Sequence, residues 1–358
     1  MREHVARYTK SFHPRCCFTR AFLPSAPLLT DEYESDKLFQ KFKDLPHALR
    51  ILQLESQINA KGKLNIERLM TRLDGRMPYD ASLGAEEELA LLLKAIKEAF
   101  VNKLKEARGS AKHTDELNVF AQYCVNTHSN CITFNYDDVL DEALWGVARV
   151  LDDFAPEDYW HPDGGYGFFL QNSLSCTANL QSYKDQTSMF LIKLHGSINW
   201  RVKLGHPRPY VIDAVVHHET WLPIPARLRG LPVADRDAIE MHLEAEPFIV
   251  PPVLVKSILL EQPILGLTWT LAYKTLKDAE EVAFLGYSLP RTDIAASFLF
   301  REALSALPTD CIRVVNLAAN DEEKAAIKSV YREVFPEIKD NQFDFRGALE
   351  WAKELPAT

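Results

Sequence analysis

The sequence predicts an α/β protein in which helices cover both faces of a parallel sheet and a helical subdomain precedes that sheet. From residue 127 onward, short apolar runs alternate with helical patterns. Residues 31 to 126 instead show helical periodicity almost throughout. Alternation of short strands and helices is typical of a parallel sheet buried on both faces. The sequence also lacks the cysteine pairs of a zinc module.

The composition is that of a globular protein with a sizeable core. The chain has 358 residues, of which 47% are hydrophobic and 25% are charged. Its net charge of −9 argues against direct binding of nucleic acid. No apolar run approaches the roughly 20 residues that span a bilayer, and the first residues lack the apolar centre of a secretory signal. We therefore expect a cytoplasmic protein without a membrane segment.

The spacing of the cysteines bears on metal binding. The six cysteines are Cys16, Cys17, Cys124, Cys131, Cys176 and Cys311. None of them forms a C-x-x-C pair, so a four-cysteine zinc module is not expected. Scattered thiols fit a reducing compartment, where they serve mostly as small core residues.

The helical periodicity divides the chain into three parts. The stretch GAEEELALLLKAIKEAFVNKLKEAR has acids early and bases late, as the helix dipole favours. Its predicted apolar face contains Leu89, Leu92, Leu93, Ile96 and Phe100, and an earlier face contains Leu38, Phe39 and Phe42. We predict a helical insertion subdomain at 31–126, between an altered first strand and loop region at 1–30 and a sheet domain at 127–358.

Five short apolar runs predict the strands. They are CITF (131 to 134), MFLIKL (189 to 194), FIV (248 to 250), VAFL (282 to 285) and CIRVVNL (311 to 317). Two long irregular stretches, 152–187 and 201–247, are expected to be functional loops or insertions. The N-terminal segment SFHPRCC is expected to make a poor strand because Pro14 interrupts it.

Polar residues follow four of these runs at the point where each strand would end. Asn135 follows the first run, His195 the second, and the segment Gly286-Tyr287-Ser288 the fourth, while Asn316 lies near the end of the last run. Ligands of doubly wound sheets bind beyond the carboxyl ends of the strands. The coincidence at one edge predicts a ligand site there.

Each of these residues also has an ordinary structural interpretation. Asp137 or Asp138 can cap the helix that contains Leu140 and Leu144, and Asp138 is the expected N-cap. Asp293 is expected to act as the N-cap of the helix that follows it. His195 alone is more typical of a buried histidine bonded to backbone. Gly286 can serve a tight turn, and Ser288 can cap one.

Taken together, the set suits one kind of chemistry. An amide such as that of Asn135 offers a donor and an acceptor to a ribose hydroxyl or a water. The imidazole of His195 can accept a proton from either group. The backbone N–H groups of a Gly-Tyr-Ser segment before a helix can bind phosphate. The sequence therefore predicts a nucleotide site with an acid–base group and no metal.

Four motifs resemble those of the bacterial sirtuin-like proteins and occur in the same order. They are TFNYD (133 to 137), KLHGS (193 to 197), FLGYSLPRTD (284 to 293) and VVN (314 to 316). The resemblance implies a Rossmann-like domain that binds NAD+, with Asn135 and His195 as the catalytic pair. It further implies a dinucleotide pocket formed by Thr133, Asp137, Gly286, Tyr287, Ser288 and Asn316, with Thr19 and Arg20 from the segment FTRAFLPSAPLLTDEY (18 to 33).

A helical insertion stands in place of the zinc module. In this respect the chain resembles the branch of the family that hydrolyses NAD+ in antiphage defence. The implied function is an NAD+ glycohydrolase acting as an abortive-infection effector. Because NAD+ depletion kills the host cell, the resemblance also implies restraint at rest by a homo-oligomer or by a separate sensor or translocase protein.

The N-terminus departs from the family pattern. The family has a Gly-Ala-Gly-x-Ser loop for the NAD+ pyrophosphate, but Arg15, Cys16 and Cys17 stand at that place and the first glycine is Gly62. Side chains there would keep the backbone away from a phosphate. An alternative is therefore a catalytically impaired nucleotide-binding or structural subunit of a defence complex. The third hypothesis is an NAD-dependent protein deacylase or ADP-ribosyltransferase, which the missing zinc module disfavours.

Overall fold

The chain separates into two compact units, which are described in turn. A computed structural model describes residues 10–14, 21–22, 35–58, 64–75, 77–109, 114–148, 160, 165–167, 189–202, 212–215, 246–250, 263–291 and 293–356. The first unit comprises residues 1–24, 112–248 and 257–358, and the second comprises residues 25–111 and 249–256. The predicted site residues Asn135 and His195 both belong to the first unit.

The strands and helices of the described ranges are numbered in chain order. The strands are β1 (Lys10–Pro14), β2 (Asn130–Thr133), β3 (Leu191–Lys193), β4 (Gly196–Val202), β5 (Ile212–Val215), β6 (Glu246–Ile249), β7 (Glu281–Leu285), β8 (Ile312–Val315) and β9 (Phe343–Asp344). The helices are α1 (Ser35–Lys41), α2 (Pro46–Ile58), α3 (Ile66–Asp74), α4 (Pro78–Ser82), α5 (Glu86–Gly109), α6 (Asp115–Asn126), α7 (Val139–Ala148), α8 (Pro263–Lys277), α9 (Ile294–Ala303), α10 (Asp321–Val334) and α11 (Ala348–Lys353).

A six-stranded parallel sheet organises the first unit. Its strand order is β3-β2-β1-β7-β8-β9, and every neighbouring pair is parallel. The chain builds outward from β1 in one direction through β2 and β3, and in the other through β7, β8 and β9. This order is that of the Rossmann fold, whose ligands bind where the strand order reverses. The predicted α/β architecture with a parallel sheet is confirmed, and the reversal lies between β1 and β7.

The centre of this sheet corrects the prediction for the N-terminus. Residues Lys10–Pro14 form β1, which pairs with β2 on one side and with β7 on the other. The expectation of a poor strand that Pro14 interrupts was wrong. Pro14 is the last residue of β1 and lies opposite Leu285 in the register, so its missing N–H removes a donor only where the ladder ends.

Helices lie on both faces of the sheet. Along each strand, successive side chains point to opposite faces. One set packs in a core with Leu276 of α8, Phe300 of α9 and Tyr331 of α10. That set contains Ile132, Ile192, Val282, Phe284, Ile312 and Val314. On the opposite face, Cys131 of β2 contacts Cys124 of α6, with 3.8 Å between their sulfur atoms.

A smaller sheet follows directly from the larger one. Its strand order is β5-β4-β6, and β4 and β5 are antiparallel. The apolar run 248–250 does form part of a strand, β6, but β6 belongs to this second sheet rather than to the parallel one. Because β4 begins at Gly196, only His195 and Leu194 separate it from β3. The chain therefore changes sheets at His195.

The second unit is helical in its described ranges. Helices α2 and α3 pack against α5, which contributes Leu92, Ile96 and Phe100 to the interior. Helix α5 begins with three glutamates, Glu86 to Glu88, as the helix dipole favours. Among the helices that the structure describes, none is both long and apolar enough to cross a membrane. The longer segment of this unit ends at Ala111, so α6 belongs to the first unit.

Candidate functional site

The carboxyl ends of four parallel strands bring the predicted residues to one edge of the sheet. Strands β2 and β3 are neighbours, and Asn135 and His195 each come two residues after the last residue of one of them. On the other side of β1, Gly286 follows β7 and Asn316 follows β8. Parallel strands end at a common edge, so the topology places all four residues there.

The ring of Phe134 joins the two sides of this edge. It lies 5.1 Å from the imidazole of His195 and 5.2 Å from the ring of Tyr287, on which it stacks at 10°. Trp269 and Phe300 close the cluster at 6.3 Å and 6.2 Å. Phe134 lies in the predicted apolar run 131 to 134 and in the motif TFNYD, but no role was predicted for its ring. Its position directly before Asn135 was the available signal.

His195 is enclosed by aromatic rings. Its side chain is 2% exposed, with the Phe134 ring edge-on at 5.1 Å and the Tyr136 ring nearly parallel at 5.9 Å. The backbone N–H of Leu194 donates to Thr133 O at 2.9 Å, which fixes the start of the turn. Trp269 Nε1 donates to Leu194 O at 3.0 Å. The imidazole is therefore enclosed by two rings, and the hydrogen bonds of the preceding residue, Leu194, fix the backbone that carries it.

The turn at His195 depends on Gly196, whose φ is +77°. A Cβ atom built there would lie 2.1 Å from the carbonyl oxygen of Phe248. We predict that Gly196→Ala destabilises the first unit by about 2–5 kcal/mol, combining about 1–2 kcal/mol for the left-handed backbone with about 1–3 kcal/mol for overpacking. Urea unfolding measures the difference.

Gly84→Ala is the matched control for Gly196→Ala. Gly84 has a φ of +64°, and a Cβ built there meets no atom within 4 Å. The control keeps the backbone cost without the clash, so the second unit, to which Gly84 belongs, should lose only about 1–2 kcal/mol in its own unfolding transition. Equal losses for the two variants would contradict the close approach of Phe248 to the turn.

The loop that carries Asn135 is held by its own polar groups. The Asn135 N–H donates to Thr133 Oγ1 at 3.0 Å. The Val139 N–H donates to Asp137 Oδ1 at 3.1 Å, so a carboxylate does hold the first turn of α7. That carboxylate is Asp137, one of the two aspartates that the sequence offered for this position. The N-cap role expected of Asp138 stays a prediction. Asn135 and Asp137 are buried, with 8% and 7% exposure.

Beneath this loop lies a buried ion pair that sequence analysis did not predict. Lys193 Nζ lies 2.9 Å from Asp141 Oδ2, and both side chains are 1% exposed. The same ammonium group donates to Asp137 O at 2.6 Å and to Ser197 Oγ at 2.7 Å. Lys193 therefore connects the end of β3 with the Asn135 loop, with α7 and with β4.

Two further side chains complete the polar cluster around Asp141. The Tyr166 hydroxyl donates to Asp141 Oδ1, and Asn199 Nδ2 lies 3.2 Å from the Tyr166 hydroxyl oxygen. Burial raises the pKa of the Asp141 carboxyl, while the charge of Lys193 opposes that rise. Burial also raises the pKa of Tyr166 well above its ordinary value, with a further contribution from the nearby Asp141.

The Gly286 segment forms a second well-held turn. Gly286 has a φ of +61°, and its N–H donates to Val315 O at 2.7 Å. Asn316 Nδ2 donates to Tyr287 O at 2.9 Å, and the Tyr331 hydroxyl donates to the same oxygen at 2.6 Å. Asn316 thus holds the backbone of Tyr287, a residue that was assigned to the same predicted pocket.

The remaining residues of this segment differ in exposure. Tyr287 is fully buried, and its hydroxyl lies 3.4 Å from Asp293 Oδ2. Asp293 occupies the N-cap position of α9, as predicted, but makes no side-chain cap bond there. Ser288 is exposed. The edge therefore combines buried polar groups with one exposed hydroxyl.

Several predicted positions lie outside the described residues. They are Thr19, Arg20, the segment Arg15 to Cys17, and nearly all of the stretches 152–187 and 201–247. Within the ranges that the structure does describe, no three or more His, Cys, Asp or Glu side chains are placed to hold a metal ion. The expectations for Thr19 and Arg20 stay predictions.

Comparisons with known proteins give one kind of match. No protein-family model and no curated protein matches the chain. A solved structure reported for the mechanism and regulation of Sir2 enzymes is 11% identical, with a TM-score of 0.39 over 97% of this chain and 89% of that one. A Sir2 structure with the inhibitor EX-527, 2'-O-acetyl-ADP-ribose and a deacetylated p53 peptide is 12% identical, with a TM-score of 0.36 over 97% and 91%. At such low TM-scores the likeness has no bearing on what this chain binds or does.

Proposed function

We propose that this chain is an NAD+ glycohydrolase, which converts NAD+ and water to ADP-ribose, nicotinamide and a proton. The observation that supports the proposal is the placement of Asn135 and His195 after two neighbouring parallel strands, β2 and β3, on one side of the reversal of strand order. Nucleotide ligands of this architecture bind at that reversal. The proposal draws its substrate from the motif resemblance and its geometry from the sheet.

The proposed reaction gives each residue one task. Asn135 orients the attacking water and the ribose through its amide donor and acceptor. His195 takes the proton of that water as its oxygen bonds to the ribose carbon. The bond between this carbon and the nicotinamide nitrogen breaks, and its electron pair stays on nicotinamide, which leaves as a neutral molecule. The proton finally passes from His195 to solvent.

The biological setting proposed for this activity is antiphage defence. An enzyme that depletes NAD+ harms its own cell, so the proposal includes restraint by a homo-oligomer or by a separate sensor or translocase protein. Membrane attachment and direct nucleic-acid binding form no part of the proposal. It uses NAD+ as a substrate and requires no metal.

A turnover assay with NAD+ and its fluorescent etheno analogue tests the proposal. The purified protein is assayed across a range of concentrations, alone and as the complex isolated from its native host before and after phage infection. Equal amounts of nicotinamide and ADP-ribose would support the proposed hydrolysis. Absence of both products in every sample would refute it.

The second candidate function is a nucleotide-binding subunit without turnover. One observation favours it: β1 ends at the strand-order reversal, and the residues that follow its last residue are Arg15, Cys16 and Cys17 rather than glycines. Calorimetric titration with ADP-ribose separates the candidates, because binding without turnover supports the subunit. Deacylation of an acetyl peptide that depends on His195 would instead support the deacylase alternative.

A further inference from the structure

The buried ammonium group of Lys193 lies at the junction between the two proposed catalytic residues. It donates to Asp137 O at 2.6 Å and to Ser197 Oγ at 2.7 Å, and it forms an ion pair with Asp141 Oδ2 at 2.9 Å. One ammonium group therefore meets a carbonyl, a hydroxyl and a carboxylate. Lys193 is fully buried. These contacts assign it to holding the protein together at this point rather than to contacting a substrate.

Lys193 and Ser197 together bind the backbone carbonyl groups of the two residues that follow Asn135. Lys193 binds the carbonyl oxygen of Asp137, and Ser197 Oγ lies 3.2 Å from the carbonyl oxygen of Tyr136. Ser197 can therefore accept from Lys193 and donate to Tyr136. The two peptide groups that follow Asn135 are both fixed by this pair of side chains.

The same two side chains flank His195 in the sequence. Lys193 is two residues before it and Ser197 is two residues after it. Each reaches across to the loop that carries Asn135, so the turn and the loop are connected on both sides of the histidine. A shift of about 1 Å in the placement of reacting groups can lower a rate by about 10²-fold. The spacing of Asn135 and His195 is therefore sensitive to Lys193.

We propose that Lys193 is a positioning residue that holds the Asn135 loop against the His195 turn, a role that rests on the proposed function for its effect on turnover. The role requires a compact cation that meets all three groups from one point, which a planar guanidinium does not do. Asp141 contributes the compensating charge. Because Asp141 and Asn199 reach the same cluster from α7 and β4, the connection extends from the loop into two neighbouring elements.

The double variant Lys193→Met/Asp141→Asn tests the role without leaving an unpaired buried charge. The Asp141→Asn change keeps a side-chain oxygen for the Tyr166 hydroxyl, so this variant is the one expected to fold. We expect kcat for NAD+ hydrolysis to fall by about 10- to 100-fold, with KM within about threefold of the parent because Lys193 does not contact substrate. A double variant with the parental kcat would overturn the proposal.

Ser197→Ala provides a milder variant with a close control. It removes the hydrogen bond that Ser197 Oγ accepts from Lys193 and the one that it donates to Tyr136 O, but it keeps the ion pair. We therefore expect a fall in kcat of about 3- to 10-fold, smaller than that of the double variant. Ser305→Ala removes an exposed hydroxyl that bonds only locally, to Glu302 O, and should leave kcat unchanged. Equal kcat values for the two serine variants would also count against the proposal.

Hydrogen exchange provides a readout that needs no turnover. The Ile198 N–H donates to Tyr136 O at 2.8 Å, and the Val139 N–H donates to Asp137 Oδ1 at 3.1 Å. In the double variant these two amides should exchange at least tenfold faster, while the Phe284 amide in β7 keeps its rate. A parent that hydrolyses no NAD+ would refute the proposed function alone, whereas unchanged exchange at both amides would refute the positioning role alone.

Discussion

Replacing His195 with glutamine is expected to lower kcat for NAD+ hydrolysis by about 10²- to 10⁴-fold, the usual contribution of a general base. Glutamine approximates the size of the imidazole and its capacity for hydrogen bonds, but it cannot take the proton from water. Since His195 is 2% exposed between Phe134 and Tyr136, alanine would also leave a cavity. Glutamine therefore separates loss of proton transfer from loss of packing.

The measurement is steady-state turnover of NAD+ under the condition in which the parent is active. His47→Gln makes the same chemical change on the half-exposed helix α2 and should retain the parental rate. Thermal unfolding of both variants checks that they are folded. A His195→Gln variant with the parental kcat would remove His195 from the reaction.

Asn135→Ala should affect the same step of the reaction as His195→Gln. The loss in the free energy of activation for the double variant should therefore be smaller than the sum of the two single losses. Alone, Asn135→Ala is expected to lower kcat by about 10²-fold through poorer placement of water and ribose. Asn118→Ala, at an exposed position of α6, is the matched control. Fully additive losses in the double variant would indicate that the two residues act in different steps.

Much of the parallel sheet could be predicted because its strands are buried on both faces. Such strands appear in a sequence as continuous apolar runs, and β2, β3, β7 and β8 all formed within or beside the predicted runs. Strand β1 could not be found in this way. Its residues KSFHP are mixed in polarity, and the strand exists because β2 and β7 supply partners from residues far along the chain.

In the candidate site, only the residues that directly follow strand ends could be predicted from the sequence. Asn135, His195, Gly286 and Asn316 could be located because polar residues after apolar runs mark the ligand edge of a doubly wound sheet. Lys193 gave a weaker signal, as a cation inside the run MFLIKL. Its partner Asp141 lies on a different element, and no local pattern connects residues so far apart in sequence.

Lys193→Met alone is expected to destabilise the first unit by about 3–5 kcal/mol at neutral pH, the typical cost of breaking a buried ion pair. The variant leaves the carboxylate of Asp141 buried without its cation. The loss should exceed that of the double variant Lys193→Met/Asp141→Asn, in which no charge remains. Urea unfolding of the parent and the two variants measures both differences, provided that a single transition describes the first unit.

The destabilisation of Lys193→Met should also depend on pH. In the folded parent, burial already raises the pKa of Asp141 above its ordinary value of 3.8, with Asp138 adding to the rise and with Lys193 and Tyr166 opposing it. Removing Lys193 removes the main opposing charge, so the folded-state pKa rises further. A carboxyl with a raised folded pKa contributes stability below its unfolded pKa and loses it as the pH rises through the folded value. The variant should therefore be closest to the parent in mild acid and furthest from it near pH 8.

The double variant isolates the titrating group. The Asp141→Asn change removes the ionisable carboxyl, so the difference in stability between Lys193→Met/Asp141→Asn and the parent should vary less between mild acid and pH 8 than the difference for Lys193→Met. Each unit of additional shift in the pKa of Asp141 adds about 1.4 kcal/mol to the pH-dependent part. Identical pH profiles for the single and double variants would show that Asp141 is not the group whose charge Lys193 compensates. The ion pair would then act only through packing, and the connection between the Asn135 loop and the His195 turn would depend on the two carbonyl contacts alone.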